Sequence, residues 1–277
     1  MMNMEERNKG MKKFELTTDT KMHLGRKLFR IKALVSFGDV EAGDLGGYVE
    51  KEGNLDQSGD AWVYGNACVY DDACVSGNAC VYGNACVYDD ACVSGNARVY
   101  GNACVYDDAC VSGNACVYGN ACVYDDACVS GNARVYDNAC VYDDACVSGN
   151  ACVYDDAMVS DNACVYGYAC VSGNAWVYGN ACVYGNAWVS GNAMVSGNAR
   201  VSGNADYATV KGFGTQCRST TFFKCEDEKI RVVCGCFSGT LEEFRKQVKD
   251  TRSGKIEKEY LMIADLMKLH FEEESEE

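Results

Sequence analysis

From Ala61 to Asn204 the chain repeats a six-residue unit without a gap, and no other feature restricts its fold so tightly. The 24 consecutive hexads read Ala-X-Val-(Tyr/Ser)-(Gly/Asp)-(Asn/Asp/Tyr), with Ala first and Val third in every one. A strict short period over 144 residues marks a solenoid, in which each repeat buries its apolar face against its neighbours. A longer period is laid over the hexad. Tyr takes the fourth position twice and Ser once (Tyr64, Tyr70, Ser76, then Tyr82, Tyr88, Ser94), an order kept to Ser148. The unit is therefore 18 residues, seen eight times, and three hexads to a coil describe a triangular prism.

Successive side chains of a strand point to opposite faces. Ala and Val then share one side of the strand Ala-X-Val-Tyr, and X shares the other with Tyr or Ser. The uniform pair is the interior, because a narrow prism admits only small and medium apolar groups. The varied pair (Cys, Arg, Trp, Met; Tyr, Ser) faces outward. Gly, Asp and Asn at the corners suit turns, since they tolerate positive φ best.

An aliphatic residue followed four places on by a small one, as in Val63 with Ala67 and Val69 with Ala73, resembles the hexapeptide repeat of the trimeric bacterial acyltransferases. The resemblance covers about half the chain and implies a single-stranded left-handed parallel β-helix. Its handedness comes from the family, not from the period. The stretch Phe37 to Glu50, F-G-D-V-E-A-G-D-L-G-G-Y-V-E, followed by such repeats, resembles uncharacterised hexapeptide-repeat proteins of bacteria and their prophages, some labelled polymer-forming. The string C-G-C-F-S-G-T-L-E-E-F, beginning at Cys234, resembles a small C-terminal module of phage and Gram-positive proteins.

The expected class is mainly β, a triangular solenoid of about eight coils rising about 38 Å at about 4.8 Å per coil. Open ends would expose strand edges, so caps are required. A flexible extension over 1–11, with Met11 as an alternative start, precedes a β cap and degenerate first coil over 12–58. Within that cap Lys27–Leu34 alternates like a strand, and Asn54-Leu55-Asp56 belongs to the first coil. The β-helix itself spans 59–210. A C-terminal ββαα module follows over 211–271, with strands at Thr220–Cys225 and Ile230–Phe237 and a capping box at Thr240–Glu243. Its second helix, about Ile256–Phe271, carries Tyr260, Ile263, Ala264, Met267 and Phe271 on one side. The module is small and is expected to dock on the last coil. An acidic tail occupies 272–277.

A net charge of −15 argues against nucleic acid as a partner. No secretory segment or membrane-spanning run is visible, and a cytoplasmic protein is expected. Twenty cysteines would otherwise suggest a disulfide framework, but sixteen occupy the outward X position. Vertical neighbours lie about 4.8 Å apart, wider than the roughly 3.8 Å between Cβ atoms that a disulfide prefers. Reduced thiols are favoured, with a surface for a soft metal as the alternative. Cys225, Cys234 and Cys236 are weak candidates for a structural zinc site, against the plainer reading as small core residues; no cofactor is expected. Asp71-Asp72 and its equivalents at 89, 107, 125 and 143, extended by Asp161, form an acidic edge that suits either solvent or a hard cation.

The acyltransferase resemblance implies a histidine base within the helix and extended loops at a cleft between subunits. Here His23 and His270 both lie outside the hexads and are read as surface residues, and no loop interrupts the repeats. The reading therefore leans away from an enzyme, toward a structural or interaction scaffold. The alternative is an acyltransferase-like enzyme whose site is formed by the caps. The side bearing Cys86, Cys104 and Cys122 beside Tyr70, Tyr88, Tyr106, Tyr124 and Tyr142 is the candidate interaction surface. An exposed aromatic column marks association. The expected partner is a second and third copy in a parallel homotrimer, with another protein as the alternative, and neither membrane nor nucleic acid.

Overall fold

The structure, a computed structural model, describes residues 12–272. The extension over 1–11, the alternative start at Met11 and the acidic tail beyond Glu272 lie outside the described residues. The chain divides into two compact units, Met1–Asn132 and Ala133–Glu277, a boundary inside the hexads rather than at either change of composition.

In the first unit each X-Val pair is a short strand, paired in parallel with the same pair 18 residues on. Cys68-Val69, Cys86-Val87, Cys104-Val105 and Cys122-Val123 line one face. Trp62-Val63, Cys80-Val81, Arg98-Val99 and Cys116-Val117 line the second. Cys74-Val75, Cys92-Val93, Cys110-Val111 and Cys128-Val129 line the third. This is a parallel β-solenoid with three strands to the coil. The Ala and Val of the hexads are buried throughout, as the alternation requires. The first corner residue is left-handed whichever type fills it, as at Gly65 (φ +61), Asp71 (φ +58) and Gly77 (φ +67). That conformation is why Gly and Asp alternate there.

The N-terminal cap adds to the first face. Phe14–His23 and Arg26–Ala33 form an antiparallel hairpin, the second strand close to the expected Lys27–Leu34. Leu45–Val49 then pairs antiparallel with Arg26–Ala33 and in parallel with Cys68-Val69, placing Tyr48 and Val49 in the X and Val positions. Leu55 bridges Val75 in parallel, so it belongs to the first coil. Gly46 and Gly47 are required by close approach. A Cβ on Gly46 would lie 2.5 Å from Ile31 Cγ1, and one on Gly47 would lie 2.7 Å from the Ala67 carbonyl oxygen.

Two buried polar side chains satisfy the carbonyls at this end. The Lys13 ammonium donates to the carbonyl oxygens of Ala61 at 3.0 Å, and of Ser58 and Gly59 at 3.4 Å. The Asn54 amide donates to those of Asp71 and Ala73, both at 2.9 Å.

The second unit is itself built on a three-strand coil. Its faces carry Arg134, Cys152, Cys170 and Trp188; Cys140, Met158, Trp176 and Met194; and Cys146, Cys164, Cys182 and Arg200. Four antiparallel strands follow, Tyr207–Phe213, Arg218–Lys224, Ile230–Cys234 and Phe237–Thr240. The expected ββαα module is thus ββββαα. Gly235 (φ +63) and Cys236 make a two-residue turn that splits the single strand expected over Ile230–Phe237. The helices are Leu241–Thr251 and Gly254–Phe271, the first opened by the reciprocal Thr240–Glu243 cap. Leu241, Phe244 and Val248 meet Tyr260, Ile263, Ala264, Met267 and Phe271 in one core, over Phe222 and Val232 of the sheet. No helix among the described residues is long and apolar enough to cross a membrane.

The sheet seats on the last coil. Ala199 bridges Cys225, the Met194 N–H donates to Thr221 Oγ1 at 3.0 Å, and the Glu226 N–H donates to the Asn198 carbonyl oxygen at 3.2 Å.

Candidate functional site

Register turns outward side chains into columns. On the first face Tyr70, Tyr88, Tyr106 and Tyr124 stack with centroids 4.9–5.0 Å apart and planes within 3°. Cys86, Cys104 and Cys122 run beside them, half-buried like Tyr88, Tyr106 and Tyr124. The rings therefore cover much of one another, and what remains open is their outer edge. Tyr142, in the second unit, is likewise half-buried. Higher in that unit the column changes: Trp176 Nε1 donates to Ser160 Oγ at 3.0 Å, and Trp188 Nε1 does the same to Ser172 on another face. The indoles bury these serines, a pairing that sequence reading missed although both Ser positions break the Tyr-Tyr-Ser order.

The start of the candidate surface is corrected by the cap. Tyr70 is 3% exposed and packs with Leu28 and Cys68, so it cannot serve an outside partner. The hairpin also brings His23 inward. Its ring meets Tyr70 edge-on at 5.5 Å, and Nε2 lies 3.8 Å from Cys86 Sγ. His23 is therefore half-buried rather than a free surface residue, whereas His270 is exposed. The thiol pair Cys68–Cys86 yields a proton more readily than isolated thiols. A hydrogen bond from Cys86 favours the Cys68 thiolate against burial, helped by the Lys21 ammonium and His23. The same hydrogen bond, with burial, pushes the Cys86 thiol up.

Corners are ladders as well. Asn78, Asn96 and Asn114 each donate from Nδ2 to the Oδ1 of the asparagine 18 residues on, at 3.0 Å. The acidic edge is also structural. Asp161 Oδ2 accepts from the Gly179 N–H at 2.9 Å, and Asp143 Oδ2 accepts from the Asp161 N–H at 3.2 Å. At its lower end Asp71 pairs with Arg26 and Asp72 with Lys51. Burial raises the Asp89 carboxyl, as do Asp71 and Asp107 on either side, against a hydrogen bond from the Asp107 N–H. The first Asp of a pair is half-buried, and Asp143 and Asp161 accept backbone hydrogen bonds, while Asp72, Asp90, Asp108, Asp126 and Asp144 face solvent.

The three C-terminal thiols do not converge. Cys236 sits exposed in the turn, and Cys234 ends its strand opposite Thr220. Cys225 lies five residues beyond Thr220, about 16 Å along the chain at 3.3 Å per residue, and is buried against the coil.

Burial raises the thiols of Cys74, Cys80, Cys92, Cys110, Cys164 and Cys170 above their ordinary 9.0. Burial also pushes the Tyr64 phenol up to about 12. A raised folded pKa contributes stability that is complete below the unfolded pKa and is lost as pH rises through the folded one. Urea midpoints in reductant should therefore fall between pH 9 and about 12. A midpoint that rises across this window would contradict the burial of the columns.

A family model described as YdcK beta solenoid repeat matches residues 91–107, 97–113, 175–191 and 187–203. These windows lie in the hexads of both units, and the chain is similar to that repeat there. No curated protein matches the chain.

Proposed function

We propose that this chain is a non-enzymatic scaffold of the hexapeptide-repeat type, of bacterial or prophage origin, working in the cytoplasm and assembling through its own aromatic column. The supporting observation is the stack Tyr88–Tyr106–Tyr124 beside Cys86, Cys104 and Cys122. Stacked rings have already lost their rotamer freedom, which lowers the entropic cost of covering them. Burying their edges removes apolar area from water at about 25 cal/mol per Å². A parallel trimer brings three such columns together.

Replacing Tyr88, Tyr106 and Tyr124 with Lys would set like charges facing one another in such a trimer. Light scattering should then report a monomer with unchanged β-type circular dichroism. A wild-type protein that is already monomeric at micromolar concentration would end the proposal.

A second reading, an acyltransferase-like site in the caps, is favoured by one cavity. About 380 Å³ in volume, it lies by the last coil and the C-terminal sheet, lined by Phe223, Cys225, Glu226, Asp227 and Arg231. Its carboxylates are engaged by arginines. Glu226 pairs with Arg200 at 3.3 Å and Asp227 with Arg231 at 3.4 Å. Although burial raises the Asp227 carboxyl, the Lys229 N–H and the Lys229 and Arg231 charges outweigh it and hold the group below its usual range. Turnover of acetyl-CoA with an amine acceptor, lost in Glu226→Gln, would favour this reading over the scaffold.

A further inference from the structure

We propose that His23, Cys68 and Cys86 form a zinc site beneath the N-terminal hairpin. Among the described residues this is the group whose ligand atoms converge, all lying within 4.8 Å of one another. A tetrahedral ion with Zn–S bonds of about 2.3 Å holds its ligand atoms about 3.8 Å apart. His23 Nε2 and Cys86 Sγ already have that separation, 3.8 Å. The widest pair needs to close by at most about 1 Å, which thiol and imidazole rotations can supply.

The register and the turn both build the site. Cys68 and Cys86 are direct partners on adjacent parallel strands, so their side chains leave the same face. His23 is the last residue of its strand, opposite Arg26, at a turn in which Leu24 (φ +48) and Gly25 (φ +83) are both left-handed. A leucine in that region is uncommon and strained, and the strain is retained where it fixes the ring over the thiols.

The donor set fits the ion. Two thiolates and one imidazole suit a soft or borderline cation and neutralise its double charge. Three protein ligands leave a fourth position for water. Tyr70 supplies an independent sign of such a ligand. Its hydroxyl is buried without a hydrogen-bond partner, on a ring 3% exposed that packs against His23. A water on the metal would give that hydroxyl the partner that buried polar groups require. The site is independent of whether the tyrosine column assembles.

The test uses the full reduced chain, stripped of metal and titrated with Co²⁺ and then Zn²⁺. Wild type should take up one tight equivalent, with visible d–d absorption of a tetrahedral thiolate site that zinc bleaches, and zinc should raise its thermal midpoint. His23→Gln, at the half-exposed hairpin end, and Cys68→Ala should each weaken that equivalent at least about tenfold, a loss that outer-shell changes alone can cause. Cys128→Ser, on another face, should retain it. Circular dichroism separates lost binding from lost folding, and His23→Gln carries the test if Cys68→Ala unfolds. Absence of a tight equivalent in wild type, or equal binding by folded His23→Gln, would overturn the site and assign any zinc to the thiol columns.

Discussion

Val105→Asp should abolish cooperative folding. Val105 is fully buried, with Val87 and Val123 as its strand neighbours. The adjacent backbone donors are committed, Cys104 N–H to the Ala121 carbonyl oxygen and Tyr106 N–H to that of Val123. A carboxylate there meets aliphatic groups and has no available donor. Burying an unpaired ion costs several kcal/mol after relaxation, and a whole domain has only about 5–15 kcal/mol to lose. Cys104→Ser, one residue earlier, should stay within about 0.5 kcal/mol. That thiol is half-buried and makes a long contact, 3.9 Å, to the Asn102 carbonyl oxygen and a hydrogen bond with the Cys122 thiol, both of which a hydroxyl can replace. Urea denaturation followed by circular dichroism compares the two. A stable Val105→Asp variant beside a collapsed Cys104→Ser variant would show that inside and outside are reversed.

Deleting one coil and deleting one hexad should have opposite consequences for assembly. Removal of Ala103–Asn120 places Tyr124 on Tyr88 and Ser130 on Ser94, so every column keeps its register. The shorter solenoid should fold and still associate, because coils interact with their nearest neighbours. Removal of Ala103–Asp108 places Ser112 on Tyr88 and Tyr118 on Ser94. Ala and Val still fall inside, so the chain should fold, with a loss of about 0.5–1.5 kcal/mol for each broken aromatic pair. Its aromatic column, however, ends at Tyr88. Light scattering should give an oligomer for the first deletion and a monomer for the second. Unfolding of the 18-residue deletion alongside a folded six-residue deletion would refute the three-strand coil.

What could be read from sequence was whatever repeats. Ala and Val appear at fixed places in every coil, so one alternation argument assigns all of them, and positive φ at Asp71 or Gly77 follows from residue type. The cap was less legible. Phe14–His23 carries Thr17, Thr18, Asp19 and Lys21 among few apolar residues, and its strand character arises from pairing with Arg26–Ala33. That Tyr70 is buried, and that His23 meets Cys86, depends on a contact 63 residues apart in sequence. A short-range signal existed only in Leu24-Gly25 as a turn. At the other end, Gly235 marked the break that divided Ile230–Phe237, and reading it as a strand residue cost a strand.

The identical coils also bear on inheritance. In the gene each coil is an in-frame cassette, and cassettes such as Ala67–Asn84 and Ala103–Asn120, one coil apart, are copies, so misaligned replication can add or drop whole coils without a frameshift. Register makes those products foldable, since the coils that keep the Tyr-Tyr-Ser order present matching groups to one another. The coil under the hairpin presents the same Cys and Tyr as its copies, so a copy that came to stand first could seat against Leu28 and His23 as Cys68 and Tyr70 do. Lineages carrying such a gene should therefore differ in length by multiples of one coil while keeping the capped end constant.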